Sequence, residues 1–241
     1  MAEIALVADL HGNLPATEAV DRDIRARGIT RIWCLGDVVG KGPSSPETFD
    51  WAVSRCEFIL QGNWDEGIGR KLFPKDQFYY DQLGEKRMRA LLEWPLEHHC
   101  VISGRSLRLF HGRPIMALPY YVHEPAETLE GFFLPDFDVV GYADVHRQGL
   151  RLLGTKGILF NTGSVGNGFG VAMAQYAILR GETGNQDAAP FDINLVTVPY
   201  DREQAVRDVR AAGQRGLVNA DLFEKEILTG VYARNKARPP V

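Results

Sequence analysis

The sequence predicts an α/β fold made of two packed sheets. Two observations carry it. The first sixty residues alternate short apolar runs with amphipathic helical segments, and from about residue 99 apolar runs follow one another with few helices between them. Alternation of the first kind predicts a parallel sheet with right-handed crossovers. The second kind predicts a more mixed sheet, packed face to face on the first.

Ile4 to Ala8 reads as a strand. Pro15 to Arg27 reads as a helix, with Asn13 as its N-cap and Gly28 as its stop. Ile32 to Leu35 is a second strand. Pro46 to Ser54 is a second helix, opened by Ser45-Pro46. Cys56 to Leu60 completes the β-α-β-α-β run. Gly67 to Glu97 is rich in charged and aromatic residues and reads as a helical excursion, clearest at Lys86 to Leu92. The second sheet is expected from His99 to Ile102, Ser106 to Phe110, Phe137 to Val140, Gly157 to Asn161 and Ala174 to Leu179. Asn194 to Val198 is the last strand, and Asp201 caps a helix from Arg202 to Ala212. No repeat or linker divides the chain, so one domain is expected over residues 1–241, with a frayed basic tail from Asn235 to Val241.

The chain has 241 residues, 45% apolar and 24% charged, with a formal net charge of −4. These values suit a globular protein with a sizeable core and give no reason for an obligate nucleic-acid partner. Cys34, Cys56 and Cys100 are odd in number and form no CxxC, so buried reduced thiols are expected. No apolar run is long enough to span a membrane, and the N-terminus lacks a signal-peptide pattern. The expected location is the cytoplasm.

Function is written at the ends of the apolar runs. Asp9 and His11 follow the first, Asp37 the second and Asn63 the third. His111 follows LRLF, and Asp144 and His146 follow FDVV. Ligand-type side chains recurring at strand ends converge at one edge of a sheet, where open α/β sheets hold their ligands. Oxygen and imidazole donors without thiolate suit hard or borderline divalent ions. Seven groups exceed the needs of one ion and suit two that share a bridge. Two such ions generate a nucleophilic water and neutralise phosphoryl oxygens.

Asp9-Leu-His11, Gly36-Asp37, Gly62-Asn63-Trp-Asp65, His111-Gly112 and the segment ending in His146 resemble the calcineurin-like metallophosphoesterases. Asp9 to Pro15 and Gly36 to Pro43 resemble the small bacterial branch that includes diadenosine tetraphosphatases and YfcE-type phosphodiesterases. The resemblance runs from residue 4 to Gly166. It implies a four-layer α/β/β/α sandwich of two packed mixed sheets, and a hydroxide bridging two metals that attacks phosphodiesters or nucleotide polyphosphates. By the same resemblance Asp9, His11, Asp37 and His146 hold the first ion and Asp37 bridges. Asn63 and His111 hold the second, with Asp144 in the remaining ligand position. Asn13 and Arg113 are implied to face phosphate, and the expected catalytic set is Asp37, Asn63 and His111.

Two departures from the family pattern shape the expectation. Asp144 stands where the family has histidine, which leaves the core less positive and favours Mn²⁺ or Mg²⁺ over Zn²⁺ among the divalent ions Mn, Fe, Mg, Zn and Ni. Trp64 stands where many relatives have the histidine that protonates the leaving group. It is a candidate for stacking on a nucleobase, and His123 is a weak candidate for the missing acid. A protein-interaction scaffold with an impaired site, and a phosphomonoesterase or protein phosphatase, are the alternatives. The expected partner is a phosphate-ester or nucleotide substrate, with no membrane, and a homo-oligomer is left open.

Overall fold

The computed structural model describes residues 1–115, 124–154 and 157–234. His123 and the tail 235–241 lie outside the described residues. Ten strands and seven helices are described, in the order β1 (Ala2–Val7), α1 (Leu14–Ala26), β2 (Arg31–Cys34), α2 (Ser45–Arg55), β3 (Phe58–Ile59), α3 (Asn63–Gly69), α4 (Gln77–Leu91, turned at Gly84), β4 (Glu97–Ile102), β5 (Arg105–Phe110), α5 (Ala126–Glu130), β6 (Val139–Tyr142), β7 (Gln148–Leu153), β8 (Gly157–Thr162), β9 (Ala174–Gly181), β10 (Asp192–Val198), α6 (Arg202–Gly213) and α7 (Ala220–Thr229).

The first sheet runs β10-β9-β1-β2-β3 and the second β4-β5-β6-β8-β7. β1, β2 and β3 are parallel, as the β-α-β-α-β pattern requires, while β9 pairs antiparallel with β1 and with β10. In the second sheet β5, β6 and β8 are parallel, and β4 and β7 flank them antiparallel. Both sheets are therefore mixed.

The period-2 alternation of β1 shows how the layers are held. Ala5 and Val7 face the helices α1, α2, α4, α6 and α7, whereas Ile4, Leu6 and Ala8 face the second sheet. There they meet Ile102, Leu107, Leu109, Val139 and Phe160. The outer face of the second sheet packs Phe110, Val140 and Tyr142 against Leu129 of α5 and against Phe132 and Phe133 of the 3-10 turn Gly131–Phe133. The layers are thus helices, sheet, sheet, helix, the expected four-layer sandwich.

The structure corrects the sequence reading at one strand. Ala174 to Leu179 belongs to the first sheet, not the second. β9 is buried on both faces, with Tyr176 and Ile178 on the helix side and Ala177 and Leu179 between the sheets. A strand buried in this way belongs inside a sheet, and β9 lies between β1 and β10. β7 and α7 were not anticipated. Asn13 and Asp201 do cap their helices, accepting from the backbone of Ala16 and Gln204. No described helix is long and apolar enough to cross a membrane.

Candidate metal centre

The strand ends of both sheets deliver side chains to one place. Asp9 and His11 follow β1, Asp37 follows β2, and Asn63 opens α3 just beyond β3. His111 follows β5, and Asp144 and His146 follow β6. Asp9, His11, Asp37, His111 and His146 are all buried. Their donor atoms fall into two overlapping groups, Asp9–His11–His146 and Asp9–Asp37–His111, each with atoms within 4.8 Å of one another.

The backbone is bent to achieve this. Nine described non-glycine residues have positive φ, and six of them belong to this region: Asp9, His11, Asp37, Lys41, Asp144 and His146. Left-handed conformations cost non-glycine residues about 1–2 kcal/mol each, and such strain clusters at functional sites. Two glycines make room. Gly36 has φ +99° and passes Gly62 so closely that an added Cβ would sit 2.7 Å from Gly62 N. A Cβ on Gly62 would lie 2.1 Å from Asp37 Oδ1. Asp65, buried beneath them, accepts from the N–H groups of Asp37, Val38 and Gly62 at 2.7–3.0 Å and ties the two loops together.

Each imidazole is oriented from behind. Nδ1 of His111 lies 2.8 Å from Leu35 O, Nδ1 of His146 lies 2.8 Å from Asn167 O, and Nδ1 of His11 lies 3.4 Å from Val39 O. A carbonyl only accepts, so the hydrogen sits on Nδ1 and the Nε2 lone pair faces inward. The carboxylates are divided in the same manner. Asp9 Oδ2 accepts from Asp144 N–H and Asp37 Oδ1 from Trp64 N–H. Their other oxygens, Asp9 Oδ1 and Asp37 Oδ2, are buried without hydrogen-bond partners among the described residues, as are Asn63 Oδ1 and His111 Nε2.

These groups are acceptors facing acceptors. His11 Nε2 and His146 Nε2 approach to 3.2 Å with their hydrogens turned away. Asp9 Oδ1 lies 3.2 Å from His146 Nε2 and 3.5 Å from His11 Nε2, and Asp37 Oδ2 lies 3.4 Å from His111 Nε2. Positive charge among them, whether a proton on His111 or a metal ion, satisfies such an arrangement, and this set of carboxylate and imidazole donors fits divalent metal. The titrations agree. Burial and then Lys41 lower His11 to about 3, keeping its lone pair free. Burial also opposes charge on His111, but Asp37, Asp9 and Asp144 outweigh it and raise the group to about 10, which shows how strongly this place attracts a positive charge. Burial and neighbouring Arg234 lower Lys41 to about 8.

Three candidate residues stand differently from the sequence expectation. Asp144 belongs to neither donor group, and both its oxygens are held by Arg113 at 2.8 Å. Asn13 does not face the site: its amide donates to Gly166 O and accepts from Ala16 N–H. Trp64 is partly buried, 5.3 Å from the ring of Phe73 and edge-on to His11 at 6.0 Å. Tyr79, edge-on to Trp64 at 6.3 Å, and Tyr80 belong to the core. Sequence reasoning left Lys41 unassigned and missed Arg234. Lys41 stands in the GDVVGKGP stretch, whereas nothing local marks Arg234.

A two-sheet sandwich with carboxylates and imidazoles gathered at its strand ends defines a metal-dependent hydrolase. Residues 2–184 match the calcineurin-like phosphoesterase superfamily domain, and the chain belongs to that superfamily. An uncharacterized protein of Methanocaldococcus jannaschii, MJ0912, is 27% identical over 231 residues, covering 86% of this chain and 91% of its own length. Among solved structures, a metallophosphoesterase from Sphaerobacter thermophilus is 22% identical with a TM-score of 0.73, over 95% of this chain and 99% of that one. The hypothetical protein PH1004 of Pyrococcus horikoshii is 19% identical with a TM-score of 0.74, over 97% of this chain and 100% of that one. At these identities the two structures speak for the fold.

Proposed function

We propose that the chain hydrolyses phosphodiesters or nucleotide polyphosphates at two divalent metal ions, with Mn²⁺ as the favoured metal. Asp9, His11, Asp37 and His146 would hold one ion and Asp37, Asn63 and His111 the other. The observation that carries this reading is the cluster of buried acceptors without hydrogen-bond partners among the described residues, Asp9 Oδ1, Asp37 Oδ2, Asn63 Oδ1 and His111 Nε2, beside the His11 and His146 Nε2 atoms 3.2 Å apart. Bound there, the ions supply a nucleophilic water at neutral pH and neutralise charge on the phosphoryl oxygens.

The protein's own groups do the rest. The carbonyls of Val39, Leu35 and Asn167 fix the three imidazoles, and the N–H groups of Trp64 and Asp144 fix the two carboxylates. Arg113, held by Asp144 and half exposed, presents charge toward an incoming phosphate. Trp64 has no labile proton to offer a leaving group, which favours leaving groups of low basicity such as the phosphates of a pyrophosphate linkage.

The test is hydrolysis of bis-p-nitrophenyl phosphate, p-nitrophenyl phosphate and diadenosine tetraphosphate by metal-stripped protein, with Mn²⁺, Mg²⁺, Fe²⁺, Zn²⁺ or Ni²⁺ added back. Metal-dependent turnover that Asp37→Ala abolishes is the expected result. Absence of turnover with every metal, in folded protein, would overturn the reading.

A further inference from the structure

Beyond residue 184, where the family match ends, the chain returns to the metal centre. After α7, Gly230 takes a left-handed turn, and its carbonyl accepts from Gly170 N–H at 2.9 Å. Tyr232 then lies edge-on to Phe169, whose ring stacks on His146 at 5.0 Å. Two residues later Arg234 sets its guanidinium 5.9 Å from the centroid of Trp64. Lys41 Nζ lies 6.0 Å from the same ring and 3.1 Å from His146 Nε2. Two cations therefore flank one indole at the rim of the centre.

Their charge is only half answered locally. Glu226 is buried 3.5 Å from Arg234 Nε, and its oxygens already accept from Ala233 N–H and Asn167 Nδ2 at 3.1 Å. Nε and Nη2 of Arg234 are buried and make no hydrogen bond among the described residues. Together they form the edge by which a guanidinium grips two oxygens of one anion. Elsewhere in this protein that edge is filled: Arg31 holds Glu57, Arg87 holds Asp50, Arg113 holds Asp144 and Arg210 holds Glu224 through it. Arg234 presents the same fork without a hydrogen-bonded acceptor among the described residues, Glu226 answering its charge only at 3.5 Å from Nε, and buried donors left so are costly. Lys41 is in a related position. Once His146 Nε2 serves a metal, an ammonium has no lone pair there to donate to, and Nζ must find another acceptor.

We propose that Arg234 and Lys41, around Trp64, form an anion subsite beside the metal centre that takes substrate phosphate oxygens the metals do not hold. This rests on the hydrolase reading above and narrows its substrate class. A simple diester carries one charge and gives the subsite little to bind. A terminal phosphate, or a second phosphate next to the scissile one, fills it.

The first measurement is calorimetric titration of inorganic phosphate into Mn²⁺-loaded protein, which needs no turnover. Arg234→Gln is expected to weaken phosphate binding about 10- to 100-fold, with partial recovery in Arg234→Lys, which keeps charge but loses the fork. Metal content and Tm of the variants are measured alongside. If Arg234→Gln does not fold, Lys41→Gln is read in the same titration.

The second measurement is the kcat/KM of p-nitrophenyl phosphate and of diadenosine tetraphosphate, each relative to bis-p-nitrophenyl phosphate. At least one ratio is expected to fall about tenfold in Arg234→Gln. A fall for p-nitrophenyl phosphate alone identifies a terminal phosphate as the ligand, and a fall for the dinucleotide alone identifies a neighbouring phosphate. Phosphate affinity unchanged from wild type, or an equal fall for all three substrates, would overturn the proposal. If wild-type protein turns over nothing while phosphate binding still depends on Arg234, the hydrolase reading fails and the subsite stands.

Discussion

Asp144 is tied to the site through both its backbone and its side chain. Its N–H steadies Asp9 and its carboxylate holds Arg113. Asp144→Asn breaks the charged fork and leaves the backbone contact. We expect metal stoichiometry to stay at the wild-type value while KM rises about 3- to 10-fold, a modest effect because Arg113 is half exposed. Loss of one metal in the variant, measured by atomic emission, would instead place Asp144 among the ligands. The sequence announced the position of Asp144 but not its partner. Asp9, His11, Asp37, Asn63, His111 and His146 were legible because each sits just past an apolar run, a local signal. Arg113 lies 31 residues from Asp144, a separation at which spacing does not pair side chains, so only the folded chain reveals the fork.

At the scale of elements, α1 and α2 are joined through Asp21, which receives Arg25 from its own helix and Arg55 from the end of α2. Burial disfavours its charge, but the two arginines outweigh burial and hold the carboxyl below its ordinary value of 3.8. A lowered folded pKa contributes stability that is full above the unfolded value and is lost as pH falls through the folded one. Asp21→Asn should therefore lower stability at pH 7 by about 0.5–1 kcal/mol. Thermal melts should show that difference shrinking to nothing as the pH is taken below the ordinary aspartate range. A gap that persisted in acid would mean the loss is steric. The elements themselves were legible where period and caps agree, as in β1, α1, β2 and α6. β9 was found as a strand but given to the wrong sheet, because the partner that sets its sheet, β1, lies more than 170 residues away along the chain. β7 escaped because it is an edge strand whose Leu150 and Leu152 face outward, which hides its alternation.

At the scale of the whole molecule, the centre is a seam. Asp9, His11, Asp37 and Asn63 come from the first sheet's strand ends, and His111 and His146 from the second's. On the proposed reading, metal bound among them would tie the two sheets together and relieve the repulsion of facing lone pairs. Chelation should then lower Tm, and restoring Mn²⁺ at about a hundred times its Kd should recover about 2.7 kcal/mol, or roughly 5–10 °C for a chain of this size. An unchanged Tm on chelation would mean that the sheets alone fix the site.

The left-handed residues of the centre set a limit on how this protein can be improved. A common way to stabilise a chain is to place glycine wherever φ is positive. Here that remedy would erase Asp9, His11, Asp37 or His146, the very groups for which the backbone is bent. Lys71, also left-handed but exposed and paired with exposed Glu85, is open to it. An engineer working on this enzyme has to leave its most strained turns alone and look for gains at the periphery.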